Sequence, residues 1–181
     1  AGHDFPYIHD ELPIVLGPDE GDPPMTDLYN PCVHLYPWAQ EVFLAFPSMF
    51  RCWGYDRANL SANLSAGRDH RGDFPNDGLF ETQLAVSRDG VRFTRVGDRS
   101  PFIAVGPVGS WDRFNQSLAN NPPIAVGDEL RFYYGGRTYR HSPYQGRDTG
   151  PRAGGIGFAA IQRDRFVSLE ASFDGGEIVT K

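Results

Sequence analysis

Apolar and polar residues alternate along much of the chain, and this alternation predicts short β-strands. Val42, Leu44 and Phe46 recur at every second position, which is the period of a strand that buries one face. Residues 80 to 97, FETQLAVSRDGVRFTRVG, alternate on both sides of an Arg-Asp-Gly turn and therefore predict a hairpin. The pattern indicates an all-β fold built from many short strands.

A first hairpin is predicted over residues 30 to 50, with its turn at residues 37 to 40. That turn would place Tyr36 opposite Glu41 and make residues 41 to 50 one continuous strand. In front of the hairpin, residues 12 to 16 predict an arriving strand.

The chain has two cysteines, Cys32 and Cys52. The predicted register sets Cys32 opposite Ala45 and leaves Cys52 several residues away, whereas a disulfide needs Cα atoms within about 7 Å. Two free thiols are therefore predicted, and a disulfide would require a bulge or a slipped register. Neither cysteine belongs to a C-x-x-C pair, so no metal site on sulfur is expected.

The strand pattern repeats. Residues 97 to 114 are loop-like. After them, SLANNPPIAVGDELRFYYGG has the same order of features as NPCVHLYPWAQEVFLAFPS: an Asn-Pro, a short turn, an acid and an aromatic-rich strand. GGIGFAAIQRDRF likewise repeats the strand and Arg-Asp turn of FETQLAVSRDGVRF. The repeat predicts two four-stranded units, at about residues 30 to 96 and 115 to 169, as in blades of a β-propeller. Residues 1 to 29 would supply a strand and a loop of a neighbouring blade. A β-sandwich with two similar meanders is the alternative.

Composition narrows the classes of protein. The 181 residues fit one domain, 1 to 181, and the 21 Gly and 15 Pro suit many turns. The formal net charge of −6 disfavours a nucleic-acid partner, because phosphate recognition needs a basic surface. No apolar run of membrane-spanning length occurs, and localisation is left open. The sequence predicts no metal site and no cofactor.

The order of NPCVHLYPW, TQLAVSRDGVRFTRV and GDELRFYYGG resembles the five-bladed β-propeller glycosidases, the superfamily of arabinanases, β-xylosidases and invertase-like enzymes. More closely it is similar to uncharacterised bacterial relatives of that superfamily. The resemblance covers about residues 27 to 175 and implies a glycoside hydrolase that acts on a carbohydrate. The invertase-like signatures W-M-N-D-P-N-G, R-D-P and E-C are absent from the sequence.

In that superfamily carboxylates from different blades meet in a central cavity, where one protonates the leaving oxygen and another attacks or activates water. The resemblance implies Asp27 and Asp112 as the catalytic pair, since each precedes the inner strand of a unit. Glu81 opens the next strand and is the third candidate. For Asp27, an Asx turn that starts a strand is the alternative.

Seven further residues are candidates for substrate binding because they lie near strand ends or beside these acids. Asn30 could hydrogen-bond to sugar hydroxyls, Trp111 could stack on a sugar face, and paired arginines could hold a carboxylate. The full set is Asn30, His34, Arg51, Trp111, Asn115, Arg137 and His141.

Two other functions remain open from the sequence. The chain could be a non-catalytic carbohydrate-binding or assembly module, in which aromatic residues supply stacking surfaces. It could also be a propeller fragment completed by a homo-oligomer or by the remainder of a longer chain, since open sheet edges invite pairing. The distance between Asp27 and Asp112 distinguishes hydrolysis from binding.

Overall fold

The structure, a computed structural model, describes residues 12–24, 26–52, 78–141, 152–168, 173–177 and 179. These residues form eleven strands and no helix, so the all-β prediction is confirmed for the described part of the chain. No helix there is long and apolar enough to cross a membrane. The strands are β1 Thr26–Tyr29, β2 His34–Leu35, β3 Phe43–Ala45, β4 Ser48–Cys52, β5 Gly78–Thr82, β6 Ala85–Ser87, β7 Thr94–Arg95, β8 Asn115–Leu118, β9 Ile124–Val126, β10 Glu129–Arg137 and β11 Gly154–Gln162.

The strands form two sheets. A seven-stranded sheet has the order β1-β4-β5-β8-β10-β11, with β9 also pairing with β10, and a four-stranded sheet has the order β2-β3-β6-β7. Neighbouring strands are antiparallel except β5 and β8, which are parallel and pair through Phe80 and Asn115. The longest pairing joins β10 to β11, from Glu129 opposite Gln162 to Arg137 opposite Gly154.

The predicted strand 41 to 50 is divided between the two sheets at Pro47. Proline has no backbone N–H for a strand ladder, so the pairing stops there and the chain turns into the other sheet. The partner strand breaks at the same level, where Gln83 N donates to Pro47 O at 3.0 Å. One long hairpin therefore passes from one sheet to the other, and the unit 30 to 96 is not a single four-stranded sheet.

Other details differ from the sequence prediction. Residues 12 to 16 form no strand, and residues 165 to 168 do not supply a fourth strand to the second unit. In the first hairpin Leu35 lies opposite Phe43, a register one residue away from the predicted one. The propeller architecture, the blade boundaries and the β-sandwich alternative stay predictions.

The hairpin turn at Asp89 has the predicted chemistry. Asp89 Oδ1 accepts hydrogen bonds from Arg92 N at 2.7 Å and Val91 N at 2.9 Å, and these bonds lower the pKa of Asp89 to about 2. Gly90 has φ of 72°, a conformation that glycine adopts without steric cost. Asp89 therefore has a structural role.

The hydrophobic core lies between the two sheets. Phe46 stands at the corner and packs against Phe102 and Phe132, with ring centroids 5.1 and 5.2 Å apart. Leu44 comes from the four-stranded sheet, whereas Leu130 comes from the seven-stranded sheet. Large apolar residues of both sheets thus share one buried cluster, which holds the sheets together.

Cys32 is a free, buried thiol, as predicted. Its sulfur donates to Asn120 Oδ1 at 2.8 Å, and burial raises its pKa. The side chain of Cys52 lies outside the described residues.

Candidate functional site

The seven-stranded sheet has two faces with different surroundings. Strand alternation and the observed register place Tyr29, Phe80, Gly135 and Arg137 on one side, which we call the outer face. Side chains on the other side, the core face, include Met49, Leu118, Leu130 and Phe132, all buried. Opposite faces of one sheet cannot share a binding pocket.

A cavity of about 570 Å³ lies on the outer face. Its size falls within the range typical of small-molecule sites, about 300 to 1,000 Å³. It spans β5, β8, β10 and β11 and has an aromatic end, a floor of small residues and a cationic end. None of the described residues that line it carries a carboxylate.

The aromatic end is a cluster of rings. Tyr29 and Phe80 stand edge to face with centroids 5.0 Å apart, and Phe80 has the same relation to His141 at 5.0 Å. Phe50, which is fully buried and on the same face of the sheet, contacts both Tyr29 and His141. His141 N donates to Gly78 O at 3.0 Å, and this bond joins the segment that follows β10 to the first residue of β5. The edge-to-face contacts hold the rings in defined orientations.

The floor is open because its central residues are small. A Cβ atom placed on Gly135 would meet no heavy atom within 4 Å, so the space above this residue is free of described atoms. At the neighbouring Gly136 the same atom would lie 2.5 Å from Asp112 Cβ and 2.6 Å from Trp111 Cζ3. Ser117 continues the small surface beside Gly135. The sheet is therefore a thin wall with the cavity above it and Trp111 with Asp112 below.

The cationic end lies where the β10–β11 hairpin extends beyond its last strand pair. The Arg137 guanidinium carbon is 5.5 Å from the centroid of the Tyr139 ring, and that of Arg152 is 5.6 Å from the same ring. Such a distance allows a cation–π contact. Two guanidinium groups thus contact one ring. Arg137 and Tyr139 line the cavity, whereas Arg152 is not part of its lining.

Polar groups complete the lining. Asn30 follows β1 with φ of 37°, a left-handed conformation that asparagine tolerates better than most residues. Ser48 is 1% exposed, and its hydroxyl has no hydrogen-bond partner among the described residues. A buried hydroxyl of this kind is normally satisfied by water or by a ligand.

Asp112 and Trp111 lie on the core face. Asp112 accepts hydrogen bonds from Ser110 Oγ at 2.6 Å and Tyr134 OH at 2.8 Å. Burial raises the pKa of Asp112, but these two hydrogen bonds more than offset it, so the pKa is below its ordinary value. Burial and the Asp112 carboxylate raise the pKa of Tyr134 to about 12. Trp111 stacks on Tyr134 with centroids 5.5 Å apart. Trp111, Asp112 and Tyr134 therefore pack together on the core face.

Glu81 and Arg51 are also on the core face, where they bind each other. Arg51 Nε donates to Glu81 Oε2 at 3.0 Å, and the two side chains are 21% and 16% exposed. Glu81 therefore neutralises a half-buried arginine, and neither residue lines the cavity.

Asp27 lies on the outer face, in the edge strand β1, but it is not part of the cavity lining. The row of paired residues that starts at Asp27 reaches Arg137 after four strand spacings, or roughly 19 Å. Asp112 lies beneath Gly136, the neighbour of Arg137. The structure therefore does not bring Asp27 and Asp112 together.

Of the candidate binding residues, Asn30, Arg137 and His141 meet at the cavity. His34 lies in the other sheet, where burial lowers its pKa. The backbone of Asn115 lies between Phe80 and Arg137; its side chain is outside the described part.

Sequence reasoning missed Tyr29, Phe80, Tyr139 and Arg152. Of these, Arg152 could have been found by extending the β10–β11 register two residues beyond the Arg137–Gly154 pair, because that extension sets residue 152 opposite residue 139.

Comparisons with known proteins do not identify a family for this chain. No family model and no curated protein matches the chain. A solved structure described as a BT0996 RGII complex is similar at a TM-score of 0.47 and 14% sequence identity, over 83% of this chain and 36% of that one. The chain spans about a third of that protein, and the likeness is too weak to assign a fold or a function. Among the described residues no group of three or more His, Cys, Asp or Glu side chains could hold a metal ion.

Proposed function

We propose that the chain binds carbohydrate, without hydrolysing it, in the outer-face cavity. The observation that carries this proposal is the order of groups along the cavity: a ring cluster at Tyr29 and Phe80, a flat floor at Gly135, and planar donors at Arg137. Aromatic rings accept the apolar face of a sugar, and planar polar side chains pair with its hydroxyl groups. The resemblance to carbohydrate-active propellers supports the same class of ligand.

Hydrolysis by the predicted acids is not part of the proposal. Glycosidases place their two carboxyl groups about 5 to 10 Å apart on either side of the scissile bond. Asp27 and Asp112 are on opposite faces of a sheet, and Asp112 is held by Ser110 and Tyr134. A sugar in the cavity would be separated from Asp112 by the backbone of Gly136.

The experiment is isothermal titration calorimetry with a panel of neutral and acidic oligosaccharides, followed by two variants. Tyr29→Ala removes a ring of the cluster and is expected to weaken binding about fivefold, because a stacked ring contributes roughly 1 kcal/mol. Gly135→Leu places a side chain in the open space above the floor and is expected to abolish binding without touching the core.

Trp38→Ala is the matched control. Trp38 is 39% exposed and Tyr29 is 37% exposed, but Trp38 packs on Tyr36, away from the cavity. The control is expected to bind like the unmodified chain. The proposal would be wrong if no oligosaccharide of the panel bound, or if Gly135→Leu left the affinity unchanged.

A further inference from the structure

We propose that the cavity selects an anionic sugar, and that Arg137 and Arg152 together bind its carboxylate or sulfate group. The inference rests on the proposed function, since it names the class of carbohydrate that the same cavity takes. The first observation that supports it is that the guanidinium groups of Arg137 and Arg152 both contact the Tyr139 ring.

The hairpin register explains why the three side chains meet. Arg137 pairs with Gly154 at the end of β10, and the ladder continues for one more step, where Thr138 N donates to Ala153 O and Ala153 N donates to Thr138 Oγ1, both at 2.9 Å. The next opposing positions are 139 and 152. Because strand alternation puts residues 137 and 139 on one face, and residue 152 is opposite residue 139, both arginines contact Tyr139 on the outer face.

Neither guanidinium has a carboxylate partner in the part of the chain that the structure describes. Other arginines do: Arg51 binds Glu81, Arg95 binds Asp22, and Arg163 binds Asp128. Arg113 and Arg165 also lack a carboxylate partner among the described residues, so what distinguishes Arg137 and Arg152 is that both contact one ring. The two guanidinium groups lie at most about 11 Å apart, the sum of their distances to the ring centroid, and an anion bound by both would lower their repulsion.

The geometry also favours an oxyanion over a neutral hydroxyl. Contact with Tyr139 limits the orientation of both guanidinium planes, and each plane offers a fork of N–H donors that matches two oxygens of a carboxylate or sulfate. The cationic end is continuous with the glycine floor, since Arg137 and Gly154 both line the cavity. A sugar ring lying over Gly135 could therefore direct its acidic substituent toward the arginines.

The test compares affinities by calorimetry for four probes: a uronic-acid oligosaccharide, its carboxyl-reduced neutral counterpart, a sulfated form of that neutral oligosaccharide, and sodium acetate alone. The uronic-acid or the sulfated probe is expected to bind at least about tenfold more tightly than the neutral one, since hydrogen bonds between charged groups are the stronger class. The two acidic arms distinguish carboxylate from sulfate, and the acetate arm shows whether the anion is bound without the sugar.

Arg152→Gln is expected to reduce the preference for the acidic probe about tenfold while leaving the affinity for the neutral one within about twofold. Arg137→Gln is expected to reduce the same preference about tenfold and also to weaken binding of the neutral probe, because Arg137 lines the cavity. Arg137→Lys keeps the charge without the fork and is expected to lose most of the preference. Circular dichroism verifies the fold of each variant.

The control is Arg163→Gln, which removes the same charge. Arg163 stands 5.8 Å from the centroid of the Trp38 ring. It follows β11 at the far end of the hairpin, nine residue steps or roughly 30 Å from the Arg137–Gly154 pair. An equal loss in this control would overturn the inference, because it would indicate general attraction by net charge.

Equal affinity for acidic and neutral probes, unchanged in Arg137→Gln and Arg152→Gln, would also overturn the inference but leave the proposed function standing. Absence of binding by every oligosaccharide would contradict both.

Discussion

The outer and core faces of the seven-stranded sheet are separated by a single layer of backbone. Two neighbouring glycines of β10, Gly135 and Gly136, show how different the two faces are. At Gly135 the space beyond the missing side chain is open, whereas at Gly136 it is filled by Trp111 and Asp112. The same residue type therefore creates a cavity at one position and close packing at the next. The difference teaches that a glycine-rich strand end can be open on one side of a sheet and closely packed on the other.

This contrast also explains the fate of the predicted acids. Asp112 precedes a strand, as a cavity carboxylate of a propeller glycosidase would, but its loop passes under the sheet and packs on Gly136. The residues that do reach the outer face near the end of β10 are basic and aromatic. A comparison of matched substitutions on the two faces tests whether the sheet divides the molecule in this way.

The largest difference is expected between Phe132→Ala and Phe158→Ala, which lie in neighbouring strands on opposite faces. Phe132 is 1% exposed and Phe158 is 50% exposed. Phe132→Ala is expected to lower the free energy of unfolding by about 3–5 kcal/mol through the cavity it leaves, and Phe158→Ala by about 1 kcal/mol or less. Urea denaturation followed by fluorescence measures both. Similar losses at the two sites would show that the outer face of β11 is packed as well.

An intermediate difference is expected between Gly136→Ala and Gly135→Ala. The added methyl group at residue 136 would collide with Asp112 and Trp111, and overpacking of this kind costs about 1–3 kcal/mol. At residue 135 it enters open space, so stability should change by no more than about 0.5 kcal/mol. The pair is compared by thermal and urea denaturation, and equal effects would contradict the division of the sheet into an open and a packed face.

Much of the local structure could be predicted from the sequence. The all-β class, the Asp89 hairpin and the strands β9, β10 and β11 of the second unit follow from alternation and turn chemistry, which act over a few residues. The assignment of strands to sheets did not follow, because it depends on Pro47, where one apparently continuous strand changes partners. Register was missed by one residue in the first hairpin, since the turn allows more than one pairing.

The candidate site could be predicted only in part. Asn30, Arg137 and His141, which were chosen for their places near strand ends, line one cavity. The acids were not brought together, since the sequence carries no information about which face a preceding loop crosses. Tyr29 reaches the cavity through the pairing of β1 with β4, a contact between strands separated by a hairpin, and local pattern does not predict such contacts.

The smallest difference, and the one that bears most directly on catalysis, is expected between Asp112→Asn and Asp27→Asn. Burial opposes ionisation of Asp112, but the hydrogen bonds from Ser110 and Tyr134 outweigh it and keep the pKa below the ordinary value of 3.8. Asp112→Asn would present an amide where two hydroxyl donors need acceptors, so we expect a loss of about 1–2 kcal/mol at pH 7. Asp27 is exposed in the edge strand, and its replacement should change stability by no more than about 0.5 kcal/mol.

The stability loss caused by Asp112→Asn is expected to depend on pH. Because the folded-state pKa of Asp112 is depressed, its ionised form stabilises the fold above pH 3.8, and that contribution is lost as the pH falls through the depressed value. In urea titrations the deficit of Asp112→Asn should therefore stay nearly constant from neutrality down to about pH 5 and shrink as the pH falls below 3.8 through the depressed value. A deficit that persisted undiminished in acid would show that the loss comes from packing against Gly136 rather than from the charge. Loss of a measured glycosidase activity in both variants, with stability unchanged, would restore the catalytic pair that the two faces of the sheet keep apart.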